Sequence, residues 1–209
     1  MNIIQNDKNY TITVNKQDKH IVKLMFMDLC FKYNVFSDID EELCKSIIPN
    51  ELWYDKEFML NVVKENGQIL ETFSNDMIQN DRDIIMNAVT NYGYALKYAS
   101  KELQNDREVV MSAVKNAGWA LQFASEELKN DYDIVMNAVI ENGLALEYAS
   151  KELRDNPNIV MSAIDTLSIT SSSAFKFASK NLKNDPEFIL KALQKDNRIL
   201  KYVSRNLLK

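Results

Sequence analysis

Apolar residues in this chain fall in pairs that recur at fixed intervals. Ile84-Ile85 is followed by Ala88-Val89, Val109-Val110 by Ala113-Val114, Ile134-Val135 by Ala138-Val139, and Ile159-Val160 by Ala163-Ile164. Spacing of i, i+1, i+4, i+5 puts each set of four on one face of an α-helix. A second cluster follows each of the first three sets, at Ala95-Leu96, Ala120-Leu121 and Ala145-Leu146, and then an isolated leucine at Leu103, Leu128 or Leu153. The pattern predicts, for each copy, a first helix (about 82–92 in the copy starting at Asp81), a shorter second helix, and a final turn.

The polar positions agree with these boundaries. Asp81, Asp106 and Asp131 lie 25 residues apart, each just before its apolar set. A carboxylate there caps the exposed N–H groups of a helix start, and Asp83, Glu108 and Asp133 add negative charge near the positive end of the helix dipole. The same ladder resumes at Asn156 and, after an insertion, at Asp185, where Pro157 and Pro186 suit the first helical position. Gly93, Gly118 and Gly143 stand where the first helix ends and are expected to take the left-handed conformation that terminates helices. Ser100 is placed to cap the final turn around Leu103.

Asp55, Gly67, Leu70 and Ser74 mark an earlier, looser copy, which brings the total to six units. Self-similarity at such a period marks a repeat array. The expected fold is therefore all-α: an α-solenoid of about six helical-hairpin repeats over residues 53–209, preceded by an N-terminal arm and degenerate capping repeat over 1–52. One hairpin cannot bury its apolar side alone, so neighbours share one core. Six layers at roughly 10 Å each give a rod of about 60 Å. The last copy, with Asn197 in place of the glycine, is expected to cap the C-terminal end and to carry a less apolar outer face. In the first segment, Asn9-Tyr10-Thr11-Ile12-Thr13-Val14 alternates as a strand does, which suggests an extended arm, and residues 18–33 have helical periodicity. Pro49-Asn50-Glu51-Leu52 resembles the closing turn of a unit.

The pattern D-x-x-[IV]-[IV]-M-x-A-V-x-x-x-G-x-A-L-x-[YF]-A-S-x-E-L, in the copies starting at Asp81, Asp106 and Asp131, resembles tandem helical repeats known in bacteria and protists only as a domain of unknown function. The likeness covers about residues 55–209 and is strongest in the three central copies. The fifth copy departs from it: Ser168 replaces the glycine, and Ile169-Thr170-Ser171-Ser172-Ser173 is inserted. The resemblance implies a repeat scaffold and carries no catalytic residues.

Composition changes this picture little. The chain is 46% hydrophobic and 26% charged over 209 residues, with a formal net charge of -5. These values fit a folded soluble protein. No apolar run reaches the roughly 18 residues of a membrane span, and the polar start lacks the features of a signal peptide. The expectation is a cytoplasmic protein without a membrane anchor, either resident in its own cell or delivered into a host. His20 is the only histidine, and Cys30 and Cys44 fit neither a redox motif nor a zinc site. With no convergent nucleophile and base, the chain reads as a non-enzyme that needs no cofactor or metal.

Two ladders invite a chemical reading. The Asp-x-Asp pairs resemble metal ligands but are better explained as helix caps. Met86, Met111, Met136 and Met161 sit a layer apart, too far for shared ligation, and read as core filler. The positions after the glycine are different: Gln68, Tyr94, Trp119 and Leu144 vary while their neighbours stay fixed, which is how repeat proteins place recognition residues. Tyr92, Tyr94, Trp119, Tyr132 and Leu144 are the candidate partner-binding residues, and the bland alternative is that they pack against the adjacent repeat. Lys101, Lys129, Lys151, Arg154, Lys180 and Lys183 alternate with Glu102, Glu126, Glu127 and Glu152, which indicates a solvated edge more than a phosphate track. The expected role is a scaffold that binds another protein, not nucleic acid. The alternative is a small acidic inhibitor or effector, mobile-element, phage or secreted, that blocks a host or defence enzyme such as a nuclease, motivated by the low sequence pI of about 5.1.

Overall fold

The computed structural model describes residues 2–6, 9–13, 50–71, 73–165 and 171–203. The helical segment expected over 18–33, His20, both cysteines and Ser168 lie outside the described residues. Strands β1 (Asn2–Asn6) and β2 (Asn9–Thr13) pair antiparallel, Ile3 opposite Ile12 and Asn6 opposite Asn9. The stretch from Asn9 is thus a strand as its alternation implies, and residues 2–6 supply the partner whose backbone groups complete its ladder.

The array is helical throughout its described residues. Its α-helices are α1 (Lys56–Glu65), α2 (Asp76–Asn80), α3 (Arg82–Asn91), α4 (Arg107–Asn116), α5 (Tyr132–Glu141), α6 (Pro157–Ile164), α7 (Lys180–Asn184) and α8 (Pro186–Lys195). Each long helix starts at the expected cap. Asp81 accepts from the N–H groups of Asp83 and Ile84, Asp106 from Glu108 and Val109, Asn156 from Asn158 and Ile159, and Asp185 from Glu187 and Phe188. Asp81, Asp106 and Asp131, the first carboxylate of each pair, are occupied as caps, and no cluster with the makings of a metal site occurs among the described residues. The apolar sets are fully buried: Ile84, Ile85, Ala88 and Val89 have no exposed surface, nor do their counterparts in α4 and α5.

The second helix of each unit is a 3-10 helix. It spans Gly67–Glu71, Gly93–Tyr98, Gly118–Phe123, Gly143–Tyr148, Ser171–Phe177 and Asn197–Tyr202 in successive units. A third side follows: the short 3-10 turns Leu103–Asn105, Leu128–Asn130 and Leu153–Asp155, and α2 and α7 in the first and fifth units. Ser100, Ser125, Ser150 and Ser179 cap this side, each accepting from the N–H of the leucine three residues on. Each of the first five units is therefore a three-sided layer: the expected pair of helices, with the expected final turn as its third side. The third sides are also tied together by backbone. Ser100 N–H donates to Gln79 O at 2.8 Å, and Ser125, Ser150 and Ser179 donate to Gln104, Lys129 and Arg154 at 2.9 Å. The last of these bonds keeps register across the insertion in the fifth unit.

The glycines serve a different purpose from the one the sequence suggests. None of Gly67, Gly93 and Gly118 has a left-handed backbone; each opens a 3-10 helix pressed onto the next layer. A Cβ on Gly93 would run into Ala113 O, and one on Gly118 into Ala138 O, closer than real side chains approach. Close approach of backbones, not positive φ, excludes a side chain there. Asparagines secure two of these junctions. Asn91 Oδ1 accepts from Gly67 N at 2.7 Å while its Nδ2 donates to Val63 O, also at 2.7 Å. Asn116 Oδ1 accepts from Gly93 N at 2.6 Å. These asparagines occupy carbonyl and amide groups that the end of one helix and the start of the next would leave unpaired.

A ladder of ion pairs runs along the helix starts. Lys56 reaches Asp81 (2.7 Å) and Asp83 (2.9 Å) of the next layer, Arg82 reaches Asp106 (2.7 Å) and Glu108 (2.5 Å), and Arg107 reaches Asp131 (2.9 Å) and Asp133 (2.7 Å). It stops where Tyr132 takes the basic position, and the facing residues of the next layer are then the neutral Asn156 and Asn158. The Arg82 guanidinium, helped by the Val109 N–H and opposed by partial burial, holds the Asp106 carboxyl below its ordinary value. A carboxyl depressed in the folded state contributes stability that is complete above its unfolded pKa and is lost as pH falls through the folded one. The thermal midpoint should therefore fall as pH drops below about 4. Asp106→Asn keeps a competent cap but loses the charge. It should cost under about 1 kcal/mol at neutral pH, because Arg82 is half exposed, and it should flatten the acid decline in melts followed by circular dichroism. An unchanged decline in this variant would show that the ladder contributes nothing.

The two ends of the array differ. At the N-terminal end a 3-10 segment, Asn50–Tyr54, forms the closing turn that the Leu52 resemblance implied; Leu52 and Trp53 are buried, and Trp53 stacks on Phe73 with centroids 3.7 Å apart. At the other end the expectation of a less apolar outer face is not met. Leu190 is 62% and Leu200 47% exposed. Leu200 continues the rung of Leu96, Leu121 and Leu146, each fully buried under the following layer. Nothing among the described residues covers that rung in the last unit.

Candidate functional site

The 3-10 helices stack into the second side of the array, and their sequence G-x-A-L-x-[YF] sets what that side displays. With about three residues per turn, the Ala and Leu at the centre point inward and are fully buried, as Ala95-Leu96, Ala120-Leu121 and Ala145-Leu146 show. The residues on either shoulder stay half-buried: Tyr94 and Tyr98, Trp119 and Phe123, Leu144 and Tyr148. The residue between them points out, which exposes Lys97 and Glu147.

The shoulders of adjacent layers meet on the diagonal. Tyr94 packs edge-on against Phe123 of the next unit (centroids 6.4 Å, planes at 70°), and Trp119 packs in the same manner on Tyr148 (5.8 Å, 65°). Tyr92 lies 5.9 Å from Tyr94, and its hydroxyl donates to Glu71 Oε1 of the preceding unit at 2.6 Å. Burial first, and then the adjacent Glu71 carboxylate, push the Tyr92 phenol well above its ordinary pKa, so it stays a neutral donor. The result is a half-exposed aromatic band from Tyr92 to Tyr148, its rings held by one another. Lys97 extends over the ring of Tyr98 in the band, 5.4 Å from its centroid, and Lys176 and Lys201 do the same over Phe177 and Tyr202 of the fifth and sixth units, at 4.4 and 4.8 Å.

Of the five candidate residues, Tyr92, Tyr94, Trp119 and Leu144 lie together on this band, Leu144 also packing against the core. Tyr132 does not join them. It is the first residue of α5, 42% exposed. Leu144 follows the opposite end of that helix, and ten residues at 1.5 Å each put about 15 Å between the two ends. Tyr98, Phe123 and Tyr148, the [YF] position of the repeat, are the members of the band that the candidate set left out. Their constant aromatic character, with no leucine in those three copies, was the available sign, because a ring with one polar tip suits a boundary with water. The charged edge lies on the third side. There Lys129 pairs with Glu126 at 2.8 Å and Lys101 donates to Gln104 Oε1 at 2.9 Å, so neighbouring side chains take up these charges.

Comparison with known families matches the same layers. The model of a Domain of unknown function (DUF4116) matches five times in tandem, over residues 55–104, 81–129, 106–154, 131–166 and 156–209. The chain belongs to the DUF4116 family. Successive matches start at Asp55, Asp81, Asp106, Asp131 and Asn156, the N-caps of α1, α3, α4, α5 and α6. The first three and the last span two layers each, the smallest piece that contains one complete DUF4116 stacking interface. No curated protein and no solved structure matches this chain. No described helix is long and apolar enough to cross a membrane.

Proposed function

We propose that this DUF4116 array is a non-catalytic scaffold that binds another protein through the aromatic band on its 3-10 side. The observation that carries this reading is the placement of Tyr94 and Trp119. Both are half-exposed although large, and both rest on rings of the next layer, so they are rigid before any partner arrives. Pre-ordered aromatic side chains supply contact area at little entropic cost and dominate the energy of many interfaces. The varied position sits on an otherwise constant frame, which allows a partner to be chosen without disturbing the fold.

The test is affinity capture from native lysate with the intact chain, read by mass spectrometry, beside a Tyr94→Ala/Trp119→Ala variant. A single protein retained by the wild type and lost by the variant, with the variant's circular dichroism still helical, is the expected result. Loss of helix would mark the two rings as structural. Equal capture by both chains would place the interface elsewhere. Raising the salt concentration in the same experiment addresses the inhibitor alternative, since an association driven by net charge weakens steeply as charges are screened.

A further inference from the structure

The third side of the array changes character along its length. The residue after each rung leucine is Gln104, Lys129, Arg154 and Lys183 in the second to fifth units, and each is buried or half-buried. In the second and third units its polar end is met from three positions earlier. Gln104 Oε1 accepts from Lys101 at 2.9 Å, and Lys129 pairs with Glu126 at 2.8 Å. The fourth and fifth units put Lys151 before Arg154 and Lys180 before Lys183, so like charges stand where complementary groups met. Among the described residues none of these four cations has an ion pair. Lys183 donates to the Lys176 carbonyl instead, and burial, then the nearby Arg154, lower its ammonium pKa from the ordinary value. Arg154 is less well served: its Nε is buried and has no hydrogen-bond partner. A half-buried guanidinium without an acceptor carries a desolvation cost that the fold does not offset.

A groove of about 640 Å³ runs between the fourth and fifth units, lined by Lys151, Arg154, Asp155, Phe177, Ser179 and Lys180. The carboxylates in it leave Arg154 unanswered. Asp155 accepts from Ser179 Oγ and, at 3.1 Å, from Asn181 Nδ2, and the exposed Glu152 forms no ion pair among the described residues. The equivalent groove between the second and third units is lined by Lys101, Gln104 and Lys129, which already have partners. We propose that the groove between the fourth and fifth units is an anion site that takes a phosphoryl group, with Arg154 as the principal contact and Lys151 and Lys180 adding charge from the two layers. A carboxylate brings a single charge, whereas a phosphoryl group brings up to about two and three acceptor oxygens, enough to meet cations from both layers. The planar fork of the guanidinium matches two of those oxygens. Because the other grooved junction is neutralised from within, this is one site and not a track along the array. It stands apart from the aromatic band and does not depend on what that band binds. A free phosphate ester and a phosphorylated side chain of another protein offer the same chemistry.

Thermal melts of the full chain with increasing inorganic phosphate, at an ionic strength held constant with chloride, test the site. The midpoint should rise and saturate, because a ligand of the folded state stabilises it, and acetate at the same ionic strength should not reproduce the rise. Arg154→Gln installs the residue that the first and second units carry here as Gln79 and Gln104, so it should fold normally and bind phosphate at least about tenfold more weakly. Lys151→Glu rebuilds the pairing of Glu126 with Lys129. It should raise the midpoint without phosphate and abolish the response to it, a combination that misfolding cannot produce. A phosphoserine peptide flanked by glycines separates the two sources: tighter binding than inorganic phosphate assigns the site to a phosphorylated protein, and binding no tighter assigns it to a small phosphate ester. The absence of a saturable rise, an equal rise with acetate, or a response that survives Arg154→Gln would overturn the proposal.

Discussion

Replacing Gly118 with alanine should destabilise the array by about 3 kcal/mol, the upper range for forcing a methyl group into a packed interior. Glycine to alanine at a relaxed helical position usually stabilises, because it removes freedom from the unfolded chain. Here the sign reverses. The added Cβ points at Ala138 O, a backbone atom whose carbonyl already accepts the closing N–H of α5 from Asn142 at 2.8 Å. Asn142 N would lie 3.0 Å from the new carbon on the other side. Neither neighbour is a flexible side chain, so relief requires the third and fourth layers to move apart, which opens the core between α4 and α5. The control is Asn197→Ala. Asn197 holds the glycine position of the sixth unit and is exposed, so the change should stay within about 0.5 kcal/mol. Urea denaturation of the two variants beside the wild type measures both. A neutral Gly118→Ala would mean that the layers are looser than their backbone contact implies.

That contrast also marks how far the sequence could be read. Period, caps and inward rungs were legible because each follows from local chemistry: Asp81 caps what comes directly after it, and Ile84, Ile85, Ala88 and Val89 share a face by helical geometry alone. The glycines were legible as necessary but not as to why. A helix-ending glycine and one pressed against a neighbouring backbone look the same in one dimension. The second helix was placed correctly but its type was not legible, since G-x-A-L-x-[YF] is too short for its periodicity to separate three residues per turn from 3.6. At the candidate site, Tyr94 and Trp119 stood out because they vary on a constant frame. Their partners Phe123 and Tyr148 did not, because the diagonal between layers has no counterpart in sequence order. Tyr132 was grouped with the others on closeness in type and number, whereas the length of α5 separates it from Leu144. The exposure of Leu190 and Leu200 was the hardest to foresee, because both fit the repeat as well as the buried Leu96 and Leu121 do.

Leucine to alanine on that same rung should give two very different results. Leu121→Ala removes a fully buried side chain in the third unit, between layers that cannot close over the space, and should cost about 2–5 kcal/mol. Leu200→Ala makes the identical chemical change in the sixth unit, where the side chain is 47% exposed, and should cost under about 1 kcal/mol. Urea denaturation of both variants beside the wild type measures this difference. Because adjacent layers share one core, the Leu121 variant should also lose cooperativity, its central layers melting before the rest. If Leu200→Ala instead costs as much as Leu121→Ala, the two leucines are packed alike and the difference in their exposure carries no energetic weight.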